Sequence, residues 1–216
     1  MTCKLCHQPT ISFFDTHMQC ETYHCKPCEF IFKDDACIIT QDKELKVYEQ
    51  HNNSEENLGY VAMFQDFMDK TFLPYREKIT SVLDFGSGPN PVLAKIMTKD
   101  GFNVEHYDKF FSQQKVYEGK KYDLITATEV IEHISDIQEV MAFFSKHLNP
   151  NAYLALMTQF HTNNTEEYMK WWYRRDPTHI SFFRPRTFEV LAKQHGFTLL
   201  YHDEKKLILL QKDGIL

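Results

Sequence analysis

Two groups of residues have types and spacings that can do chemistry. Cys3 and Cys6 form one C-x2-C pair, Cys25 and Cys28 form another, and 18 residues lie between them. Two such knuckles close a tetrahedral site, and four thiolates suit a structural Zn²⁺. Cys20 and His24 are an alternative to the second pair; four cysteines are favoured because the second C-x2-C mirrors the first. Further along, "TATEVIEHISD" sets Glu129, Glu132 and His133 at i, i+3 and i+4 directly after an apolar run. On one helical turn all three would share a face, where two carboxylates and an imidazole can ligate a cation. Without a fourth ligand this stretch reads equally well as the polar start of a helix. His179, in a loop bounded by Pro177 and Pro185, supplies that ligand if the fold brings it over the apolar run.

A third feature is "VLDFGSGPNP", placed where a strand turns into a helix. Gly86 and Gly88 let the backbone bend tightly and approach a ligand, and Asp84 ends the strand with a carboxylate. Alone, G-x-G is weak, and a structural turn explains it as well. Asp108, 20 residues after Gly88 and at the end of the next apolar stretch, stands where a carboxylate accepts hydrogen bonds from ribose hydroxyls.

These residues need elements to hold them. "SVLDFG", "FNVEHYD", "YDLITAT" and "YLALMTQ" read as strands, alternating with helical patterns at "PVLAKIMTKDG", from Asp136 onwards and at "PRTFEVLAKQHG". Alternation of this kind predicts an α/β fold with a parallel sheet. "FTLLYHDE" and "KLILLQK" are joined too closely for a crossover and predict an antiparallel pair. Asp136 and Glu139 fit a capping box. All six cysteines lie at or before residue 37, which sets residues 1–37 apart as a zinc ribbon too small to fold without a staple. Residues 38–75 read as a connecting helical segment, and residues 76–216 as the α/β domain. Cys37 reads as a buried apolar residue.

The chain has 216 residues, 43% of them hydrophobic and 25% charged, a composition typical of globular proteins. No run approaches the roughly 20 apolar residues of a membrane span, so no membrane partner is expected. The first residues lack the basic and apolar regions of a secretory signal, so the expected compartment is the cytoplasm, with reduced cysteines. A net charge of −6 argues against broad electrostatic capture of nucleic acid, and no DNA partner is expected.

The motifs "VLDFGSGPNP", "VEHYD", "YDLITATEVIEHISD", "LNPNAYLALMT" and the final strand pair, in that order, resemble the class I S-adenosylmethionine-dependent methyltransferases over roughly residues 58–212. A nicotinamide dehydrogenase, the competing reading of the glycine loop, would not be expected to carry "EVIEH" or the antiparallel end. The resemblance implies a Rossmann-like sheet of seven strands with an antiparallel final strand. It puts Gly86 and Gly88 near the methionine part of S-adenosylmethionine, Asp108 on its ribose, Asp84 behind the loop, and Thr126 to Thr128 beside the adenosine or methyl donor. The third loop glycine is replaced within "PNP", where Asn90 tolerates left-handed backbone. His51, Asn52 and Tyr60, just upstream, are candidates for the cofactor carboxylate or the substrate. "EVIEH" with a later histidine resembles two metal-dependent O-methyltransferase families, the plant small-RNA 2′-O-methyltransferases and the ubiquinone-biosynthesis O-methyltransferases. Carried over, Glu129, Glu132, His133 and His179 become ligands of Mn²⁺, Mg²⁺, Fe²⁺, Co²⁺ or Zn²⁺, with Glu132, His133 and His179 as catalytic residues. Without metal, His133 or His179 would act as general base. "CKLCHQP" with Cys20 and His24 resembles instead the zinc segment of a guanine-N1 rRNA methyltransferase family. Two alternatives to O-methylation stay open: base or nitrogen methylation of RNA guided by the ribbon, and a binding protein on a methyltransferase scaffold. Trp171, Trp172 and Tyr173 read as walls of a substrate pocket, and Arg174 and Arg175 as phosphate or carboxylate receivers or solvated charges. The substrate expected is a small molecule or RNA.

Overall fold

The computed structural model describes residues 1–50 and 54–214. Its larger sheet has six strands in the order β5-β4-β6-β7-β10-β9, where β4 is Ser81–Phe85, β5 Asn103–Tyr107, β6 Tyr122–Thr128, β7 Leu148–Met157, β9 Phe197–His202 and β10 Leu207–Lys212. The strands β5, β4, β6 and β7 are parallel, and β10 runs antiparallel to both β7 and β9, as the short link between the last two strands demands. Among the described residues the expected seventh strand is missing. Residues 109–121, which separate β5 from β6, hold turns and no helix or strand. An average helix and strand alone take about 17 residues, so this connection is too short to add a crossover.

Side chains alternate across the sheet and fill two cores. Leu83, Ile125, Leu154, Leu156, Ile208 and Leu210 point to one side, under helices α4 (Ile137–His147) and α6 (Pro185–His195). Val82, Leu124, Ala155, Met157, Leu207 and Leu209 point to the other, against α2 (Leu58–Lys70) and α3 (Val92–Lys99). Caps fix the helix ends: Asn57 Oδ1 accepts from Tyr60 N at 3.1 Å and Asp136 Oδ1 from Glu139 N at 2.9 Å. The connecting segment is two helices, α1 (Gln41–Tyr48) and α2.

The cysteine-rich segment folds as β1 (Ile11–Asp15), β2 (Cys20–Cys25) and β3 (Phe30–Lys33). It has no core of its own. Leu5, Phe30 and Phe32 belong to the first of the two cores, with Phe30 5.4 Å from Phe183 between ring centroids. Burying a phenylalanine there contributes about 1.5–3 kcal/mol. A two-residue strand from the far end of the chain, β8 (Ser181–Phe182), completes this sheet in the order β1-β2-β3-β8. Cys37 is half-buried and bonded to Cys20 as a disulfide, which corrects its reading as a free apolar residue and the expectation that all the cysteines are reduced.

Candidate active site

The glycine loop follows β4. Gly86 has φ +78° and donates its N–H to Tyr107 O at 2.8 Å, tying the loop to the end of β5. A Cβ at Gly86 would lie 2.4 Å from Val130 Cγ2, so only glycine lets the loop meet the segment that carries Glu129 and Glu132. Gly88, at φ +68°, has open space where its Cβ would be. That open, left-handed turn is the cradle a ligand's charged end needs. Asn90 is not left-handed; its Oδ1 accepts from Lys95 Nζ at 2.6 Å.

Asp84 is buried beneath the loop and accepts from Thr126 Oγ1 at 2.8 Å. Burial pushes its carboxyl up to about 7. Asp108 ends β5, but its carboxylate already accepts from the backbone N–H of Gly88 at 2.9 Å, Phe110 at 2.8 Å and Phe111 at 3.0 Å. It therefore braces the loop from below. Tyr60, half-buried on α2, packs edge-on against Phe64 at 4.6 Å between ring centroids. Burial, then the charges of Asp84 and Glu129, push its phenol up to about 12. Thr128 is half-buried at the end of β6, opposite Met157. His51 and Asn52 lie outside the described residues.

"EVIEH" does not form the helical turn that its spacing suggests. Glu129 is left-handed at φ +54°, and only Ile131–His133 form a short 3-10 turn. Tertiary contacts converge the side chains instead. Ligand atoms of Glu132, His133 and His179 all lie within 4.8 Å of one another. Glu129 joins through Tyr173, whose hydroxyl lies 2.9 Å from Glu129 Oε2 and also contacts Glu132 Oε1. His133 Nδ1 lies 3.1 Å from Thr178 O and His179 Nδ1 lies 2.8 Å from Tyr173 O. A carbonyl only accepts, so both Nδ1 atoms carry the proton, and the Nε2 atoms are the ones turned toward Glu132. Burial holds His133 down to about 3, so its ring is neutral. Glu129 Oε1 and Glu132 Oε2 are buried without a hydrogen-bond partner. Burial raises both carboxyls, and for Glu132 the charge of Glu129 adds to it. Glu132, His133 and His179 together offer the mixed oxygen and nitrogen donors a divalent cation takes, whereas Glu129 lies outside that converging set and is linked to it through Tyr173.

The four cysteines also converge. Their Sγ atoms lie within 4.8 Å of one another, with Cys3 to Cys28 at 3.5 Å and Cys6 to Cys25 at 3.4 Å. Bonds of about 2.3 Å to a tetrahedral metal place sulfurs about 3.8 Å apart, so the set fits Zn²⁺. The Cys28 thiol, by bonding to it, brings Cys3 down to about 5, whereas burial holds Cys25 up at about 12. One negative sulfur is tolerated; ionising all four needs a cation. Cys20 is engaged with Cys37, and His24 Nε2 lies 2.7 Å from Asn163 Oδ1, so neither joins the set.

Sequence reasoning missed Tyr173 as a bridge between carboxylates and read it as a pocket wall. Trp172 is exposed beside it. Arg174 is buried against Asp15, and Arg175 alone of the pair is exposed. Tyr48 lays its ring edge-on to His133, 5.3 Å between centroids, which brings α1 over the cluster.

A family model described as "Methyltransferase domain" matches residues 60–202, which contain the loop and the carboxylate–imidazole cluster and make up more than half of the chain. The chain belongs to this methyltransferase family. No curated protein sequence matches it. Among solved structures, the methyltransferase resembles DesVI of Streptomyces venezuelae with a TM-score of 0.55 at 11% identity, covering 82% of this chain and 99% of that one. It resembles the magnesium protoporphyrin IX methyltransferase of Synechocystis, solved with bound SAH, at 0.53 and 13%, covering 80% and 94%. The human N-acetylserotonin methyltransferase, in complex with SAM, gives 0.57 and 12%, covering 81% of this chain and 57% of that one. An O-methyltransferase family protein from Burkholderia thailandensis is likewise longer, the chain spanning 56% of it. At these identities the likeness is one of fold. No helix among the described residues of the methyltransferase is long and apolar enough to cross a membrane.

Proposed function

We propose that this methyltransferase takes its methyl group from S-adenosylmethionine and transfers it to a hydroxyl oxygen of the substrate, held at a divalent cation on Glu129, Glu132, His133 and His179. The observation that carries the reading is the cluster itself: ligand atoms of Glu132, His133 and His179 within 4.8 Å of one another, each imidazole bonded to a carbonyl through Nδ1, beside two buried carboxylate oxygens without a hydrogen-bond partner. Val130 against Gly86 sets that cluster next to the glycine loop. A divalent cation there would lower the pKa of a bound hydroxyl.

The chain's own work is positioning. Gly88 and Asp108 hold the loop open for the methionine and ribose ends, with Asp84 and Thr126 behind it. Tyr173 aims the two carboxylates, and the carbonyls of Thr178 and Tyr173 fix the imidazole tautomers. Burial of the cluster keeps water from competing with the acceptor oxygen. We further propose that Cys3, Cys6, Cys25 and Cys28 hold a structural Zn²⁺.

The test is methyl transfer to hydroxylated acceptors by Glu132→Ala and His179→Ala, with S-adenosylmethionine binding followed by calorimetry. Transfer should be lost and cofactor affinity kept. Full transfer by either variant, or by wild type in chelator with the cysteine site still loaded, rejects the metal-assisted reading. Failure of wild type to bind S-adenosylmethionine rejects the reading as a whole.

A further inference from the structure

The segment that carries Tyr173 and His179 is wedged between the 3-10 turn and the cysteine-rich sheet. Ile180 donates its N–H to Glu132 O at 2.8 Å, and Ile180 O accepts from Lys33 N at 2.9 Å. Ile31 and Phe32 of β3 pair with Phe182 and Ser181, and Ser181 Oγ donates to Ile134 O at 3.1 Å. The edge strand β8 of the cysteine-rich sheet and Ile180 just before it therefore lie directly against the segment that carries Glu132.

Two buried cations tie the same segment down. Lys33 is 3% exposed, and its ammonium donates to the carbonyls of Arg174 at 3.3 Å and Asp176 at 3.2 Å. Arg174, also 3% exposed, pairs with Asp15 and donates through Nε to Met169 O at 3.0 Å. Asp15 closes the turn between β1 and β2, accepting from His17 N at 3.0 Å and Met18 N at 3.1 Å. Burying charges so far from water is costly unless they are bonded; here the Lys33 bonds end on the backbone at Arg174 and Asp176, between Tyr173 and His179, and those of Arg174 on Asp15 and Met169 O. The Tyr173 carbonyl in turn fixes His179 Nδ1–H.

We propose that Lys33 and the Asp15–Arg174 pair are positioning residues for methyl transfer: the cysteine-rich sheet is the outer wall of the reaction site, and these side chains hold Tyr173 and His179 in ligating geometry. This rests on the function proposed above only in taking the cluster as the reaction site.

Lys33→Met removes both ammonium bonds at nearly constant length. In protein with the cysteine site zinc-loaded, ¹⁵N imidazole resonances should show His179 as a fixed Nδ1–H tautomer in wild type and as an averaged one in the variant. Co²⁺ affinity of the carboxylate–imidazole cluster and kcat should each fall about 10–100-fold, as for other residues that orient metal ligands. S-adenosylmethionine affinity should change less than about twofold, because the glycine loop is not among the groups Lys33 touches. If Lys33→Met does not fold, the double variant Asp15→Asn with Arg174→Gln keeps a neutral pair and reads the same signals. An unchanged His179 resonance with unchanged Co²⁺ affinity overturns the proposal. A wild type that binds no Co²⁺ outside the cysteines, while the variant still loses the fixed tautomer, overturns the metal reading and sustains the positioning.

Discussion

Replacing Glu132 by glutamine should make the metal-free protein more stable while removing its response to metal. Glu132 is fully buried, one carboxylate oxygen meets Tyr173 and the other has no partner. Burial, then the neighbouring Glu129 charge, lift its carboxyl well above the ordinary range, so the metal-free pair carries its second negative charge at a cost. Glutamine keeps the shape, still accepts from Tyr173, and can donate its amide toward Glu129. Relieving one unsatisfied buried group is worth about 1–3 kcal/mol. In a chain of this length each kcal/mol moves the melting temperature by about 2–4 °C. The ligand effect runs the other way: at 100 times its dissociation constant a cation stabilises wild type by about 2.7 kcal/mol and should leave Glu132→Gln unmoved. Differential scanning calorimetry at pH 8, with and without Mn²⁺ and with the cysteine site loaded, reads both arms. If the metal-free variant melts below wild type, or both proteins gain equally from Mn²⁺, the cation reading of these carboxylates is wrong.

The two loop glycines should separate in kind. Gly86→Ala meets Val130 and should lower stability by more than the roughly 1–2 kcal/mol that a left-handed alanine costs, whereas Gly88→Ala should cost only about that much and chiefly weaken S-adenosylmethionine binding; paired melting curves and calorimetric titrations check this. His161 supplies a pH test away from the cluster. Its Nδ1 accepts from Asn163 N at 3.0 Å, and burial holds it down to about 3 from its ordinary 6.5. The unfolded chain therefore takes up this proton first, so stability is full above pH 6.5 and falls toward pH 3, by up to about 1.4 kcal/mol per pH unit from this histidine. Urea unfolding across pH 7.5 to 5 should show a shallower slope in His161→Gln, and an unchanged slope would discount the residue.

Much of the site was legible because its signals are local. The glycine loop, the two C-x2-C pairs, the Asp136 cap and the closing antiparallel pair each sit within a few residues, where spacing maps onto geometry. His179 was found only because imidazole chemistry gave a reason to look for a fourth ligand. What stayed hidden depends on contacts across the chain. Arg174 meets Asp15 at a separation of 159 residues, and β8 is a strand of two residues with no period to detect. The segregation of cysteines implied a self-contained module, yet Phe30 and Phe32 lie in the same core as Leu156 and Leu210. The predicted seventh strand came from resemblance, and the length of residues 109–121 already argued against it.

The residues of "EVIEH" do not take the helical turn their spacing suggests, and the reason bears on how the proposed site would work. An α-helical turn would line Glu129, Glu132 and His133 along one rigid face, with their spacing set by the helix. Here the left-handed backbone at Glu129 breaks that coupling, at a cost of about 1–2 kcal/mol, and Glu129 N–H is held by Met157 O at 2.8 Å. The side chains are then aimed by neighbours from outside the motif: Glu129 and Glu132 by the Tyr173 hydroxyl, His133 by the Thr178 carbonyl, His179 by the Tyr173 carbonyl. Three of those four constraints come from residue 173, and the segment around it is pinned by the cysteine-rich sheet. The geometry of the cluster is therefore set less by its own motif than by the distant strand packed against it.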